Sequence, residues 1–371
     1  MLITPLIFGI STTSLTLEEI SIFTENPCAG FILFARNIES REQVIALTSS
    51  LKALYPDREV PIFIDQEGGR VARIKPPIAS ELYPAAGFFA EIYLENEVQA
   101  KDEVYANYSK LIKELKLLGI DSPCAPVCDL LFAGANNVIG DRSFGKNPAQ
   151  VIDLCLKTIE AIIDEGGIAF LKHIPGHGRA LVDSHHELPR VTTSLEELEE
   201  TDFKVFRELS TVISENKTED KVWGMTAHII YDALDKEKPA TISGEAITYI
   251  KEKIGFKGNL LSDDIGMSAL HGDIGKKHSL LKKTLASLEK GLPLNNIVQT
   301  ELSELFNINH EEITNIPLGS WTEQMKVIRP EFIKSLTCAT QNAIAAGCDY
   351  VLHCSGDITE MKAVLEGCFS N

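Results

Sequence analysis

Short apolar runs alternate along the chain with longer segments in which apolar residues recur every three or four positions. Runs such as GFILF and IAFLK are almost continuously apolar, which is typical of strands buried on both faces of a parallel sheet. The pattern predicts eight strands: Pro5–Ile10, Gly30–Ala35, Val60–Asp65, Gly119–Ala125, Ile168–His173, Val222–His228, Asn259–Asp263 and Asp349–Cys354.

The segments between the strands predict amphipathic helices, several of which have recognisable ends. Thr16–Glu19 and Ser40–Gln43 resemble N-terminal capping boxes ahead of apolar runs. Pro148 is predicted to begin a helix that runs to about Glu165, where two glycines end it. Further helices are predicted over Ser194–Ser214, Ser243–Ile254, Glu331–Ala346 and Ile358–Phe369.

Eight strands, each followed by a helix, predict an α/β fold of the (β/α)8 TIM-barrel type, built by a single domain over residues 1–371. A doubly wound open sheet is the alternative, but no G-x-G-x-x-G follows the first strand. About 60 residues, His271–Pro330, separate the seventh strand from its helix. We interpret them as an insertion rather than a separate domain, because they are too few and too poor in strands to build their own core.

Composition and charge narrow the classes of partner. The 371 residues include 53 acidic and 35 basic side chains, which gives a formal net charge of −18. We expect neither a nucleic-acid nor a membrane partner, because so acidic a chain repels phosphate backbones and anionic lipid heads. Met1–Ile10 lacks the basic start of a signal peptide, and no apolar run is long enough for a transmembrane helix. The eight cysteines include no C-x-x-C pair, so the sequence favours the reducing cytoplasm.

Chemically active side chains follow the predicted strands at their carboxyl ends, where the loops of such a barrel carry catalysis. The motifs concerned include DQEGGRVAR, IGDRSFG, KHIPGHG, MTAHI and SDDIGM. The candidate site residues in these motifs are, in chain order, Asp65, Arg73, Arg142, Lys172, His173, His228 and Asp263. Their clustering at one end of the barrel is the strongest sign of function in the sequence.

Several of these residues also have a structural interpretation. Asp65 could cap a helix or form an ion pair with Arg70 or Arg73, and Arg142 could be a surface charge. His228 is as readily a hydrogen-bonded core histidine as a catalyst.

Two positions are harder to explain structurally. Lys172 follows an apolar strand, and a buried lysine needs an acceptor for its hydrogen bonds. Asp263 and Asp264 place like charges side by side at a strand end, which is wasteful for a structural role alone.

The triplet Asp183-Ser184-His185 places a carboxylate two residues before an imidazole in a predicted loop. A carboxylate bonded to one ring nitrogen fixes the tautomer and leaves the other nitrogen as a proton donor. His173 and His177 have zinc-ligand spacing, but the proline and glycines around them prevent a shared helical face.

Together the motifs resemble glycoside hydrolase family 3, specifically its single-domain β-N-acetylglucosaminidases. The resembling blocks, in the family's order, are GFILFARNI, DQEGGRVAR, APVCDL, IGDRSFG, KHIPGHG with DSHHELP, MTAHIIYDALDKEKPATIS, GNLLSDDIGM and AAGCDYVL. The family implies a barrel that removes terminal, non-reducing β-linked N-acetylglucosamine with retention, and without metal or cofactor. It also implies peptidoglycan recycling in the cytoplasm, with an N-acetylglucosamine-containing muropeptide as the substrate.

The resemblance also implies a role for each matched residue. Asp263 would be the nucleophile, and His185, paired with Asp183, the general acid/base. The residues implied to bind the sugar are Asp65, Arg73, Arg142, Lys172 and His173. An imidazole in place of the usual acid carboxyl is chemically reasonable, since its pKa of about 6.5 suits proton exchange at neutral pH.

The chain departs from the family pattern in two places. The insertion His271–Pro330 is longer than the expected connection, and it could shield the site, contact another subunit or do neither. Ser355 stands where the family usually has Asn after the last strand.

Two other functions are weaker alternatives. A metal-dependent barrel hydrolase could use His173, His228 and Asp263, but no H-x-H follows the first strand. A catalytically silent sugar-binding relative is disfavoured because the nucleophile, the dyad and the sugar ligands are all retained.

Overall fold

A central sheet of eight parallel strands organises the computed structural model, which describes residues 2–182 and 188–369. The strands are β1 (Thr4–Gly9), β2 (Cys28–Leu33), β3 (Ile62–Ile64), β4 (Ser122–Pro123), β5 (Ala169–Ile174), β6 (Val222–Thr226), β7 (Leu260–Asp264) and β8 (Tyr350–His353). Every predicted strand is present, and each bound lies within three residues of its predicted position.

The strands close into a barrel. The hydrogen-bonded order runs β4-β3-β2-β1-β8-β7-β6-β5, which leaves β4 and β5 at the two edges. Residues after β4 join these edges: Val127 bridges Lys172, and the amide of Cys128 donates to the carbonyl of Lys172 at 2.6 Å. The predicted TIM barrel is therefore confirmed, and the open doubly wound sheet is excluded.

Large side chains from the strands and from the residue after β4 fill the barrel interior. This interior cluster consists of Ile7, Ile32, Phe63, Cys124, Phe170, Trp223, Met225, Leu261 and Leu352. Phe63, Phe170 and Trp223 pack at centroid distances of 5.1 to 5.8 Å. The opposite faces of the strands pack against the surrounding helices in a second, larger core.

The helices lie outside the barrel. Within the described ranges they are α1 (Leu17–Glu25), α2 (Arg41–Ala53), α3 (Ala86–Glu95), α4 (Glu97–Leu117), α5 (Pro148–Asp164), α6 (Leu195–Glu200), α7 (Asp202–Glu215), α8 (Gly244–Tyr249), α9 (Gly272–Glu289), α10 (Asn296–Phe306), α11 (His310–Ile313), α12 (Leu318–Ala346) and α13 (Ile358–Phe369). The loops contain two short strand pairs, Gln66–Gly68 with Val71–Ala72 and Arg190–Val191 with Ile230–Tyr231.

Several predicted helix ends are confirmed by their hydrogen bonds. Thr16 and Glu19 form the reciprocal capping box of α1. The Ser40 hydroxyl accepts from the amide of Gln43, and Pro148 is the first residue of α5. The predicted helix Ser194–Ser214 is divided in two, because Thr201 leaves the helical region with φ −124° and ψ −94°.

The inserted segment is helical and differs from its prediction in two ways. Helix α12 begins at Leu318 rather than Glu331, so Pro330 lies inside it. Trp321 and Ile328, which precede Pro330 in this helix, are buried. The segment also buries an apolar cluster of its own, made of Leu280, Leu281, Leu302, Ile313, Trp321 and Ile328. The expectation that it could not build a core is therefore wrong.

Candidate active site

A cavity of about 430 Å³ opens at the carboxyl ends of the barrel strands. The sequence-predicted residues that line it are Asp65, Arg73, Arg142, Lys172, His173 and Asp263. The rest of the wall consists of Glu67, Arg70, Val71, Asn136, Asn137, Val138, Ile139, His177 and Met225. Of the other predicted site residues, His228 does not line the cavity, and Asp183 and His185 lie outside the described residues.

Strand geometry explains why these side chains face the cavity. Successive residues of a strand point to opposite faces, so residues two positions apart share a face. Three site residues each lie two positions after a residue of the barrel interior: Asp65 after Phe63, Lys172 after Phe170, and Asp263 after Leu261. The polar side chains therefore form the next layer towards the carboxyl end, where the interior opens into the cavity.

Glu67 is the centre of a buried ion cluster that the sequence analysis did not single out. Its carboxylate lies 2.6 Å from Lys172 Nζ and accepts two hydrogen bonds from Arg142, at 2.7 and 2.8 Å. The side chains of Glu67 and Lys172 are only 6% and 2% exposed. A signal for Glu67 existed, because a buried lysine needs an acceptor and Glu67 lies two residues beyond Asp65.

All three ions of this cluster stay charged at neutral pH. Burial acts to raise the pKa of Glu67, but the charges of Arg142 and Lys172 outweigh it and lower that pKa well below its usual value. Burial acts to lower the pKa of Lys172, but Glu67 and Asp65 raise it overall. The surface-charge interpretation of Arg142 is wrong, since its side chain is 11% exposed and bonded to Glu67.

Asp65 joins two cations at the cavity wall. Its Oδ2 lies 3.2 Å from an Arg73 terminal nitrogen, and its Oδ1 lies 3.3 Å from Lys172 Nζ. Asp65 therefore forms an ion pair with Arg73, as its structural interpretation predicts. Arg70 instead pairs with Asp141 at 2.7 Å. The side chains of Asp65 and Arg73 remain 22% and 30% exposed, which leaves both open to a ligand in the cavity.

Asp129, the acidic residue of APVCDL, orients the two histidines of the KHIPGHG segment. Its buried carboxylate accepts from the backbone amides of His173 and His177, at 3.1 and 2.6 Å. It also lies 2.7 Å from His173 Nδ1, so the hydrogen of that ring is held on Nδ1. Burial, followed by the charge of His173, lowers the pKa of His177 to about 4. Sequence reasoning missed Asp129, although the motif that contains it was recognised.

The two aspartates at the end of β7 have different surroundings. Asp263 lines the cavity, and its Oδ1 accepts from the backbone amide of Asp264 at 2.7 Å. The Asp264 side chain accepts from the backbone amides of Gly266 and Cys354, both at 3.0 Å. Asp263 therefore lies on the cavity wall, whereas Asp264 holds the turn that follows the strand.

The segment that follows β5 is tightly packed at Gly178 and Arg179. A Cβ on Gly178 would overlap the carbonyl oxygen of Leu130. The Arg179 guanidinium donates to Asp202 at 2.7 Å and lies 4.1 Å from the centre of the Phe132 ring. These contacts fix the start of the loop in which the sequence places the predicted acid/base.

His228 is a hydrogen-bonded core histidine. Its Nδ1 lies 2.7 Å from Thr241 Oγ1, and its Nε2 donates to the carbonyl of Asp264 at 3.0 Å. Within residues 2–182 and 188–369, no group of three or more His, Cys, Asp or Glu side chains is arranged to hold a metal ion. His173, His228 and Asp263 therefore do not form the ligand set that the metal-dependent alternative requires.

Ser355 contributes to the start of the last helix rather than to the cavity wall. Its hydroxyl lies 2.8 Å from His353 Nε2 and accepts from the backbone amide of Asp357 at 3.0 Å. The departure from Asn therefore lies at the end of β8, and Ser355 is not among the residues that line the cavity.

The chain is similar in sequence to known glycosidases. The model of the glycosyl hydrolase family 3 N-terminal domain matches residues 11–314. A beta-hexosaminidase of Alkalilimnicola ehrlichii is 37% identical over 295 residues, which is 78% of this chain and 79% of that protein. A beta-hexosaminidase of Xylella fastidiosa strain M23 is 34% identical over 268 residues, 72% of this chain and 76% of that protein.

Solved structures resemble the whole fold. The crystal structure of NagZ from Neisseria gonorrhoeae in complex with N-trifluoroacetyl-D-glucosamine superposes with a TM-score of 0.72 at 28% sequence identity. The match covers 97% of this chain and 84% of that one.

Proposed function

The chain belongs to glycosyl hydrolase family 3 and is a glycoside hydrolase of the β-hexosaminidase type, and from this premise we propose that it is a retaining exo-β-N-acetylglucosaminidase. One observation carries the proposal. The Asp263 carboxylate lines the same cavity as the side chains of Asp65, Arg73 and Lys172, whose polar groups can contact a sugar. The N-acylated glucosamine bound to the similar Neisseria structure supports an N-acetylhexosamine as the sugar.

In the proposed reaction Asp263 is the nucleophile. Its carboxylate attacks the anomeric carbon, and the bond from that carbon to the glycosidic oxygen breaks as a covalent glycosyl-enzyme forms. His185, oriented by Asp183, gives its proton to the leaving oxygen. It then takes a proton from the water that hydrolyses the glycosyl-enzyme. Because each of the two displacements inverts the anomeric carbon, the configuration is retained overall. The mechanism requires no metal and no cofactor.

The remaining residues would bind and orient the sugar. Lys172, Arg73 and Arg142 carry hydrogen-bond donors only, so they suit sugar hydroxyl and acetamido oxygens. Asp65 accepts from hydroxyl groups. His173 has its hydrogen held on Nδ1 by Asp129, so its Nε2 would act as an acceptor while the ring is neutral.

We further propose peptidoglycan fragments as the substrate and the cytoplasm as the site of action. The support is the likeness of the motifs to the family's muropeptide-recycling enzymes. The net charge of −18 also disfavours anionic polymers and membrane surfaces as partners. Among the described helices, none is long and apolar enough to cross a membrane.

Nitrophenyl glycosides test the proposed reaction. Release of nitrophenol from the β-N-acetylglucosaminide and the β-glucoside is compared for the wild type, Asp263→Asn and Asp264→Asn, with and without EDTA. We expect hydrolysis of the acetylated sugar alone, undiminished by EDTA. Asp263→Asn should lower kcat roughly a thousand-fold or more, because a nucleophile is lost. Asp264→Asn is the matched control, since an amide oxygen still accepts from both backbone amides.

Two results would contradict the proposal. Equal losses in the two aspartate variants would argue against Asp263 as the nucleophile. Binding of N-acetylglucosamine by a folded wild type that hydrolyses no N-acetylglucosaminide, including a disaccharide of N-acetylglucosamine and anhydro-muramic acid, would indicate a silent sugar-binding relative. Preference for chitobiose over that disaccharide would contradict the muropeptide part alone.

A further inference from the structure

The first residue of the inserted segment reaches back to the turn that follows Asp263. His271 is 6% exposed, and its Nε2 lies 2.8 Å from the carbonyl oxygen of Ile265. Its Nδ1 lies 2.9 Å from the hydroxyl of Ser335 on α12. A carbonyl only accepts, so Nε2 carries the ring hydrogen, and the Ser335 hydroxyl donates to Nδ1.

Helix α12 holds the His271 ring in place through Phe332 and Ser335, which follow Pro330 and so lie outside the insertion. Phe332 of α12 packs edge-on against His271, with centroids 4.8 Å apart at 69°. The Phe332 ring also stacks on His278 of α9, with centroids 3.9 Å apart at 10°. The His271 side chain thus contacts Ser335 and Phe332 of α12 and the Ile265 carbonyl directly, whereas His278 stacks on Phe332.

The turn that His271 contacts is also held from the barrel side. The amide of Ile265 donates to the carbonyl of Leu352 at 2.8 Å. The carbonyl of Asp264 accepts from His228 Nε2 at 3.0 Å. His228 and His271 thus bond two successive carbonyls directly after Asp263, one from the barrel and one from the insertion.

Resting on the function proposed above, we propose that His271 is a positioning residue for the nucleophile Asp263. The bond from its Nε2 to the Ile265 carbonyl fixes the backbone that orients the Asp263 carboxylate. His271 does not line the cavity and contacts no substrate. Its effect is on the geometry of attack, where an error of about 1 Å can cost roughly a hundred-fold in rate.

The ionisation of the ring agrees with this role. Burial lowers the pKa of His271 to about 4, against a smaller opposite effect of the bond to Ile265. The neutral ring, with one donor and one acceptor nitrogen, matches its two partners.

Substitutions at His271 separate positioning from packing. His271→Leu keeps an apolar side chain beside Phe332 but removes the donor, and it should lower kcat about ten-fold or more with KM within about two-fold. His271→Gln places an amide N–H near the former Nε2 and should restore most of the lost kcat. His278→Leu is the matched control: it also loses a ring on Phe332, yet it should leave kcat unchanged.

Further outcomes decide the proposal. A folded His271→Leu variant with wild-type kcat, a Gln variant no better than Leu, or an equal loss of kcat in His278→Leu would each overturn it. If His271→Leu does not fold, Ser335→Ala carries the test, because it removes only the donor to Nδ1. It should lower kcat about three- to ten-fold, as for one hydrogen bond, and an unchanged kcat would overturn the proposal.

Failure of the proposed function gives a different result. In that case the wild type releases no nitrophenol, or Asp263→Asn keeps its activity, and the premise is lost whatever the His271 variants do. Nitrogen-15 spectra of the wild type test the bond itself, independently of activity. They should show His271 as the neutral Nε2–H tautomer at pH 7, and the Nδ1–H tautomer would overturn the proposal.

Discussion

Lys172 Nζ lies 2.6 Å from Glu67 Oε1 beside the cavity, and both side chains are almost completely buried. The same carboxylate accepts two hydrogen bonds from Arg142. The single negative charge of Glu67 therefore balances only one of the two positive charges of Lys172 and Arg142. The second negative charge near Lys172 belongs to Asp65, at 3.3 Å. This arrangement holds the donor groups at fixed positions before a sugar arrives, which lowers the cost of ordering them on binding.

We expect Glu67→Gln to be strongly destabilising. The variant removes the charge that compensates two buried cations, and breaking a buried ion pair in this way costs about 3–5 kcal/mol. Denaturant unfolding of the wild type and the variant measures this loss. The remaining folded enzyme should also bind N-acetylglucosamine more weakly, because Lys172 and Arg142 lose their common anchor.

Asp141→Asn is the control for Glu67→Gln. Asp141 also bonds an arginine of the cavity wall, Arg70 at 2.7 Å, but both side chains are about half exposed. Exposed pairs contribute at most about 1 kcal/mol, so this variant should unfold near the wild-type denaturant concentration. A Glu67→Gln variant no less stable than Asp141→Asn would show that the buried cluster does not stabilise the fold.

Asp129 should act on sugar binding through His173. Its carboxylate holds the ring hydrogen on Nδ1, and Asn in its place binds that hydrogen more weakly and can offer an N–H instead. We expect Asp129→Asn and His173→Gln each to weaken binding of N-acetylglucosamine about ten-fold, and the double variant to lose little more than either one. Titration calorimetry of the four proteins measures the coupling. Fully additive losses would mean that Asp129 does not act through His173.

The barrel and most of the cavity could be predicted because their signals are local in the sequence. Apolar runs marked all eight strands, and the polar residues that follow these runs placed Asp65, Lys172 and Asp263 at the carboxyl ends of the strands. Glu67 and Asp129 were missed because their roles depend on partners distant in sequence, Arg142 and Lys172 for one and His173 for the other. Single motifs do not show such pairings.

The core of the insertion could not be predicted for a similar reason. Its apolar residues are spread over four helices, and none of these helices buries a complete face alone. Trp321 and Ile328 are buried in the part of α12 that precedes Pro330, a residue that sequence rules place at a helix boundary. Tertiary packing therefore decided the position of this helix end.

Three buried histidines should make the protein sensitive to acid. Burial is the main cause that lowers the pKa values of His177, His271 and His278 to about 4 each. Their unfolded value is about 6.5, so the unfolded chain binds more protons between these two pH values. Stability is therefore full above about pH 6.5 and falls as the pH drops towards about 4, by up to about 1.4 kcal/mol per pH unit for each histidine.

Denaturant unfolding between pH 7 and 4.5 measures this effect. His278→Phe keeps a ring against Phe332 but removes one titrating group, so its stability should fall less steeply with acid than that of the wild type. His310→Gln, at an exposed position on α11, is the control and should follow the wild-type curve. Parallel curves for wild type and His278→Phe would contradict the assignment of His278.

Gly178 should tolerate no side chain, because a Cβ there would overlap the carbonyl oxygen of Leu130 and lie 3.2 Å from the Phe132 ring. Gly178→Ala should therefore cost about 1–3 kcal/mol of unfolding free energy, as for other overpacked sites. Gly244→Ala is the matched control, since no atom lies within 4 Å of its added Cβ, and it should change stability by at most about 0.5 kcal/mol. The strain at Gly178 lies seven residues before His185, so the folded variant should also lose kcat more than affinity for N-acetylglucosamine. Wild-type kcat in a destabilised Gly178→Ala protein would mean that the start of this loop does not set the position of the acid/base.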